Sequence, residues 1–561
     1  MNTYQKFLAK QYDIKGVNDF RELVYGSAEK YQTRTAFRLR EKDISYQDFR
    51  AEYQALCTAF LNKGYADKKI AVVGANSYGW ILAYTAAATI GVAVPIDKEL
   101  TPADMDNFIE AADCAAVIGD AKILSKIQQD KDIDKYAIGA DEESATLTQL
   151  VCEGRALYAE GSREIDTMDI DPEALHILIF TSGTTGNSKG VCLSQKNICA
   201  NILSTAKLIK IDETIHTLSV LPIHHTYEST LGHLLILFGG GCISYSDGLK
   251  YVGKNIVEYQ PSVLIAVPLL LEFVLKTIDK SVRKSLPARY TKNPDISFND
   301  LMKSLPFPLR LIVKKKVRKS LGGKIRLMIV GAAAIKPETI EAFQLLGIAT
   351  YQGYGLTECS PLLAGNNDFY VNAESVGLPI FGVDIKIDNP NEDGIGEIVA
   401  KGDNIMLGYY NDPETTAEIM RDSYFHTGDL GYLDEEGWLY ITGRCKNVIV
   451  THNGKNIYPE ELEDRLLDEK IIEEAIVVST ESTKGEGEAV KAKIYPNYEE
   501  LKVVCCGEPS DEEVVKAIKA AVERVNDQMP NYKRIAKVEV VKEPFEKTTT
   551  KKIKRFGANV E

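Results

Sequence analysis

The chain has 561 residues at ordinary apolar content, 45% hydrophobic, with 66 Lys and Arg against 80 Asp and Glu for a formal charge of −14. That length corresponds to about three or four units of roughly 150 residues and supplies material for a large buried core. The acidic balance argues against a nucleic-acid partner, because neutralising backbone phosphates requires a net basic surface.

Ten cysteines, among them Cys57, Cys114, Cys192, Cys359 and the Cys505-Cys506 pair, are scattered without the Cys-x-x-Cys spacing of zinc or redox sites. They read as reduced thiols of a cytoplasmic protein. The N-terminus lacks the charged-then-apolar pattern of a signal peptide, and the most apolar run, Leu231 to Ser244, is interrupted by Gly232, His233 and three glycines from Gly239. No membrane-spanning segment is expected, while peripheral contact with a membrane surface stays open.

In chain order, Lys69 to Gly74 reads as a buried strand, Trp80 to Ile90 as a helix and Gly91 to Ile96 as the next strand, a βαβ unit. Apolar runs return at Ala174 to Phe180, Val263 to Pro268, Ile325 to Val330 and Ile348 to Tyr351, which predicts largely parallel sheet with helices on both faces. From about 376 to 442 short strands parted by Gly and Asp turns predict an antiparallel subdomain. After Gly443, a helix over Glu460 to Leu467, a strand over Ala475 to Ser479, a long helix over Asp511 to Asn526 and a strand over Val538 to Val541 predict a compact α+β unit.

Chemistry concentrates in a few contiguous motifs. Thr181-Ser182-Gly183-Thr184-Thr185-Gly186-Asn187-Ser188-Lys189-Gly190 follows an apolar strand. Its glycines and hydroxyls allow N–H and O–H donors to converge on phosphate oxygens, and Lys189 adds a point charge. A flexible turn would account for any four of these residues, but not for ten in this order. It is not a Walker A loop, since Ser188 precedes the lysine and Gly190 follows it. Downstream, Tyr351 to Pro361 contains the Gly-flanked aromatic Tyr354, suited to lie on a purine, and Glu358, a hard oxygen ligand suited to Mg²⁺. In His426-Thr427-Gly428-Asp429-Leu430-Gly431, the carboxylate of Asp429 is suited to accept from both hydroxyls of a ribose.

In this order the motifs resemble those of the adenylate-forming superfamily of acyl-CoA synthetases, luciferases and adenylation domains, and nearly the whole chain looks most like the long-chain fatty acid-CoA ligases. The resemblance implies an α/β fold: a large N-terminal domain (1–444) of doubly wound sheets with a small β-barrel-like subdomain, and a small mobile α+β C-terminal domain (445–561). It implies that ATP and AMP are held by Thr181 to Gly186, Lys189, Gly331-Ala332-Ala333 at the adenine edge, Tyr354, Gly355, Thr357, Asp429 and Arg444. Mg²⁺ would sit at Glu358 and Thr184, His225 and Gly353 would contact the acid, and Lys446 would be the hinge. Near the C-terminus, Lys552 corresponds to the adenylation lysine, although Lys551 stands where a glycine is usual and either lysine could be argued. Catalysis would then fall to Lys552, Thr184, Lys189 and Glu358, and Lys547 and Lys554 read as solvated. Ser188 replaces a frequent proline and Asn447 a frequent aspartate.

The expected activity is ligation of a fatty acid to CoA through acyl-AMP, with ATP, Mg²⁺ and CoA as cofactor and co-substrates. Two alternatives are transfer to the phosphopantetheine of an acyl carrier protein and a non-catalytic nucleotide-binding homologue. The basic run Arg310 to Arg326, with Lys314, Lys315, Lys316, Arg318 and Lys319, reads first as a solvated helix face. Docking of anionic lipid headgroups or CoA phosphates is the second reading.

Overall fold

The structure is a computed structural model describing residues 2–128, 133–139, 145–181, 188–290, 293, 296–450, 456–481, 488–547, 553–555 and 559. Two large sheets dominate it. The first has nine strands, in the order Leu378–Pro379, Leu362–Gly365, Ala349–Gly355, Leu327–Val330, Val263–Ala266, His216–Ser219, Cys242–Tyr245, Thr35–Arg38 and Asp43–Ser45. The second has eight: Gly408–Tyr409, Lys189–Leu193, Ile177–Thr181, Val92–Ile96, Lys69–Val73, Cys114–Asp120, Asp134–Ile138 and Ala145–Thr146. Both are parallel at the centre and antiparallel toward an edge.

The predicted βαβ unit is present, with its helix running Tyr78–Ile90. The Ser77 side chain accepts from the Trp80 N–H and so caps the first turn. Every residue from Trp80 to Ile90 is buried, so no polar face breaks its apolar run. Tyr53 donates or accepts at Thr89 Oγ1 across 2.7 Å, satisfying two hydroxyls inside this core.

An antiparallel sheet of Val383–Asp388, Gly396–Gly402, Tyr424–Leu433, Met420–Arg421 and Leu439–Arg444 follows. Beyond Ile449 a separate apolar cluster forms around Leu462, Val477, Ala492 and Ile518. Its three-stranded sheet has Glu488–Pro496 at the centre, a strand absent from the predicted elements because Lys491 and Lys493 interrupt its apolar pattern. Lys493 is nevertheless buried. The Pro459–Leu467 helix starts on proline with Glu460 and Glu461 in its first turn, which favours the positive end of the helix dipole. Lys336 reaches over to Asp468 at 2.6 Å, linking this part to the nine-stranded region.

The apolar run that glycines seemed to break is a buried π-helix, Tyr227–Leu234, continued by the α-helix Leu235–Gly239. All ten cysteines are free. Among the described residues, no helix is long and apolar enough to cross a membrane.

Candidate functional site

A cavity of about 1550 Å³ opens between the two large sheets, the antiparallel sheet and the C-terminal segment. Thr181, Ser188 and Lys189 line one side of it. Thr181 and Lys189 are direct partners of an antiparallel hairpin, so the motif joins two strands, whereas a Walker loop joins a strand to a helix. Ser182, Gly183, Thr184, Thr185 and Gly186 lie outside the described residues, as do Lys551 and Lys552.

Lys189 Nζ stands 4.6 Å from the centroid of the Tyr409 ring, and the Tyr409 hydroxyl donates to Glu358 Oε1 at 3.0 Å. Tyr409 therefore ties the lysine to the carboxylate. Its Gly-Tyr-Tyr context carried no chemical signal in the sequence, and only the pairing of Gly408–Tyr409 with the motif's own strand brings it here.

Gly353, Tyr354, Gly355, Thr357 and Glu358 line the cavity at the end of the Ala349–Gly355 strand. A Cβ on Gly355 would lie 1.8 Å from the Pro361 carbonyl oxygen, so no other residue fits this turn without moving backbone. The Tyr354 hydroxyl donates to Asp429 Oδ2 at 2.7 Å, and Arg444 Nε lies 2.8 Å from Asp429 Oδ1. Burial, and then Asp429, hold the Tyr354 phenol well above its ordinary range, and Asp429 raises the Arg444 guanidinium. Asp429 and Arg444 are register partners on adjacent strands, which is why a motif and a residue fifteen positions later meet. Asp429 is buried and lies behind Tyr354 and Arg444, whereas Thr427, Gly428 and Arg444 form the wall. In this structure it braces those two side chains.

Gly331 and Ala332 line the cavity, with Ala332 at φ +70, while Ala333 is exposed and outside the wall. Lys446 lines it from the short turn Cys445–Asn447. Lys547 and Lys554, read as solvated from the sequence, line the cavity instead. Lys547 forms an antiparallel bridge with Ile553, the residue before Lys554, and pairs with the buried carboxylate of Glu474. Charge alone could not separate a solvated lysine from one that lines a cavity.

His225 lines the cavity beside His224, their rings 4.1 Å apart. Burial pushes His224 down to about 3. Glu228, three residues after His225, is fully enclosed and lines the same wall. It accepts from Ser219 Oγ at 2.5 Å, and burial raises its carboxyl to about 8. A Cβ on Gly232 would stand 2.9 Å from that carboxyl, so the glycine makes its room.

An acid whose folded pKa is raised to about 8 keeps a proton that the unfolded chain has released above about pH 4.3. Its contribution to stability is complete at low pH and declines as pH rises, by up to about 1.4 kcal/mol per unit, until the folded pKa is passed. Glu228→Gln is therefore expected to gain stability relative to the parent between pH 5.5 and 8, measured as the difference in denaturant midpoints, which cancels every other titrating group. A difference that does not change with pH would mean that Glu228 is ionised in the fold.

The AMP-binding enzyme family model matches residues 24–410, and the AMP-binding enzyme C-terminal domain model matches residues 446–559. Long-chain-fatty-acid–CoA ligase ACSBG1 of Rattus norvegicus is 31% identical over 506 residues, covering 82% of this chain and 68% of that protein. Long-chain-fatty-acid–[acyl-carrier-protein] ligase AEE15, chloroplastic, of Arabidopsis thaliana is 25% identical, covering 85% and 76%. O-succinylbenzoate coenzyme A synthetase (MenE) from Bacillus subtilis, solved in complex with ATP and magnesium ion, superposes with a TM-score of 0.70 at 21% identity, covering 95% of this chain and 98% of that one.

Proposed function

This chain belongs to the AMP-binding enzyme family, and on that premise we propose that it is an ATP-dependent ligase that activates a long-chain fatty acid as acyl-AMP and transfers the acyl group to CoA. The observation that carries this reading is a single cavity whose wall holds Lys189 and Glu358 at one place, Tyr354 and Arg444 at another, and His225, Leu221, Leu231 and Val267 at a third. A nucleotide and an apolar acid can share that space.

A carboxylate resists thiols because oxide is a poor leaving group. Attack of a carboxylate oxygen on the α-phosphorus forms the O–P bond, breaks the bond to pyrophosphate and supplies a stable leaving group. The thiol then attacks the acyl carbon, the C–O bond to AMP breaks, and the thiol proton leaves to solvent. Lys189 and Lys552 would offset the charge that two anions bring together. Tyr354 and Arg444, braced by Asp429, would hold adenine and ribose, with Thr357 at the α-phosphate. Glu358 fits a magnesium ion carried in on ATP, because it presents a hard oxygen to the cavity beside Lys189. Such an ion would supply further charge stabilisation to the phosphates. Residues 445–561 would act as a mobile domain turning about Lys446.

Purified protein given ATP, magnesium and acids of graded chain length should release pyrophosphate most efficiently with long-chain acids. No pyrophosphate with any acid would end the proposal, and a maximum at medium-chain or aryl acids would reassign the pocket. The relation to AEE15 makes a carrier protein the second candidate acceptor. Offering CoA and a phosphopantetheinylated carrier in parallel should yield acyl-CoA as the dominant product.

A further inference from the structure

The basic run falls on the Phe307–Ser320 helix, which buries Val313 and Val317 in a core shared with Ile278 and Val282 of the Pro268–Ser285 helix. What the first helix turns outward is unusual. Phe307 is 70% exposed and Ile312 62%, with Leu311 beside them, and the same face continues into exposed Lys315, Lys316 and Lys319. From Leu301 to Pro337 the sequence holds ten Lys and Arg and no Asp or Glu, in a chain whose formal charge is −14. Among the described residues, Lys314, Lys315, Lys316 and Lys319 make no ion pair.

The Pro268–Ser285 helix repeats the pattern. Leu269 and Phe273, 55% and 69% exposed, continue at helical spacing into exposed Lys276 and Lys280. Its preceding residue Val267 lines the cavity, and so does Leu249, itself largely exposed. Through Val267 the cavity wall adjoins the N-terminal end of this helix, where Leu269 and Phe273 are exposed.

Large exposed apolar side chains mark an interaction surface. An apolar stripe ending in unpaired lysines suits the boundary of a bilayer, with rings and aliphatic groups below the headgroups and ammonium groups at the phosphates. A second copy of this chain fits poorly, because a two-fold interface would set the same cationic rows against each other. We propose that the outer face of the Phe307–Ser320 helix, extended by Leu269 and Phe273, docks this protein on an anionic lipid bilayer. Docking is read from this surface alone, whereas delivery of an acid from the bilayer to the cavity rests on the ligase assignment.

The test is flotation of the full chain with vesicles of phosphatidylcholine alone and of phosphatidylcholine mixed with phosphatidylglycerol. The parent should float with the mixed vesicles and lose binding as salt rises. Lys315→Glu, Lys316→Glu and Lys319→Glu combined should weaken that partition on the order of 10²-fold or more, from the contribution of about one lysine charge per contact. Leu311→Ser with Ile312→Ser should also weaken it while keeping the salt dependence. Both variants should retain the parent's thermal midpoint, and pyrophosphate release with a short, water-soluble acid should be unchanged. Failure of the parent to float with anionic vesicles, or equal flotation of the lysine variant, overturns the proposal. So does concentration-dependent self-association that the same substitutions abolish. Because flotation needs no turnover, it stands or fails separately from the catalytic reading.

Discussion

Lys552→Ala is expected to lower acid-dependent pyrophosphate release about 10²- to 10³-fold while slowing thiolysis of preformed acyl-AMP far less. The asymmetry follows from the charges in the two steps. Adenylation brings a carboxylate against a polyphosphate, so a preorganised cation at the α-phosphate acts mostly in that transition state. Thiolysis attacks a carbonyl whose leaving group already carries its charge. Lys552 lies outside the described residues, but Lys547 and Lys554 on either side of it line the cavity, and Lys547 is bridged to Ile553. Lys551→Ala provides the control: it should remain near the parent rate in both half-reactions. Equal loss in both steps for Lys552→Ala would remove the assigned role, and exchange of the two phenotypes would pass it to Lys551.

Asp429→Ala should raise the KM for ATP about 10-fold and also cost stability. Its carboxylate holds the Tyr354 hydroxyl and the Arg444 guanidinium at once, so truncation unbraces both of these cavity-lining groups. A lost charged contact of this kind costs about 1–3 kcal/mol. The lower part of that range applies here, because the Arg444 side chain is 42% exposed and water can take over part of the interaction. Asp429→Asn keeps the shape and one acceptor, so its denaturation midpoint should fall less while its KM rises nearly as far. The check is ATP dependence of pyrophosphate release together with denaturant midpoints for the three proteins. A normal KM in Asp429→Ala would show that the nucleotide does not depend on this brace.

Strands such as Lys69–Val73 and Val263–Ala266 were legible in the sequence because they are buried on both faces, where an apolar run is the stable composition. Glu488–Pro496 escaped because alternating lysines look like a solvated surface until a neighbouring strand and helix cover them. Motif chemistry was likewise readable where it is contiguous. Glycines that cannot accept a Cβ, as at Gly355, and hydroxyls clustered around a lysine leave their mark on the residue order itself.

Thus the chain order alone determined the family's motif sequence and the α/β class, because each depends on local spacing or on the burial of short apolar runs. Tertiary structure decided the partners. It set Tyr409 between Lys189 and Glu358, put Asp429 behind Tyr354 and Arg444, enclosed Glu228 as a raised carboxyl, and turned Lys547 and Lys554 into the cavity. The physical reason is that contact, burial and charge environment are properties of strand register and packing between segments far apart in the chain, and no local pattern records which distant segment will arrive.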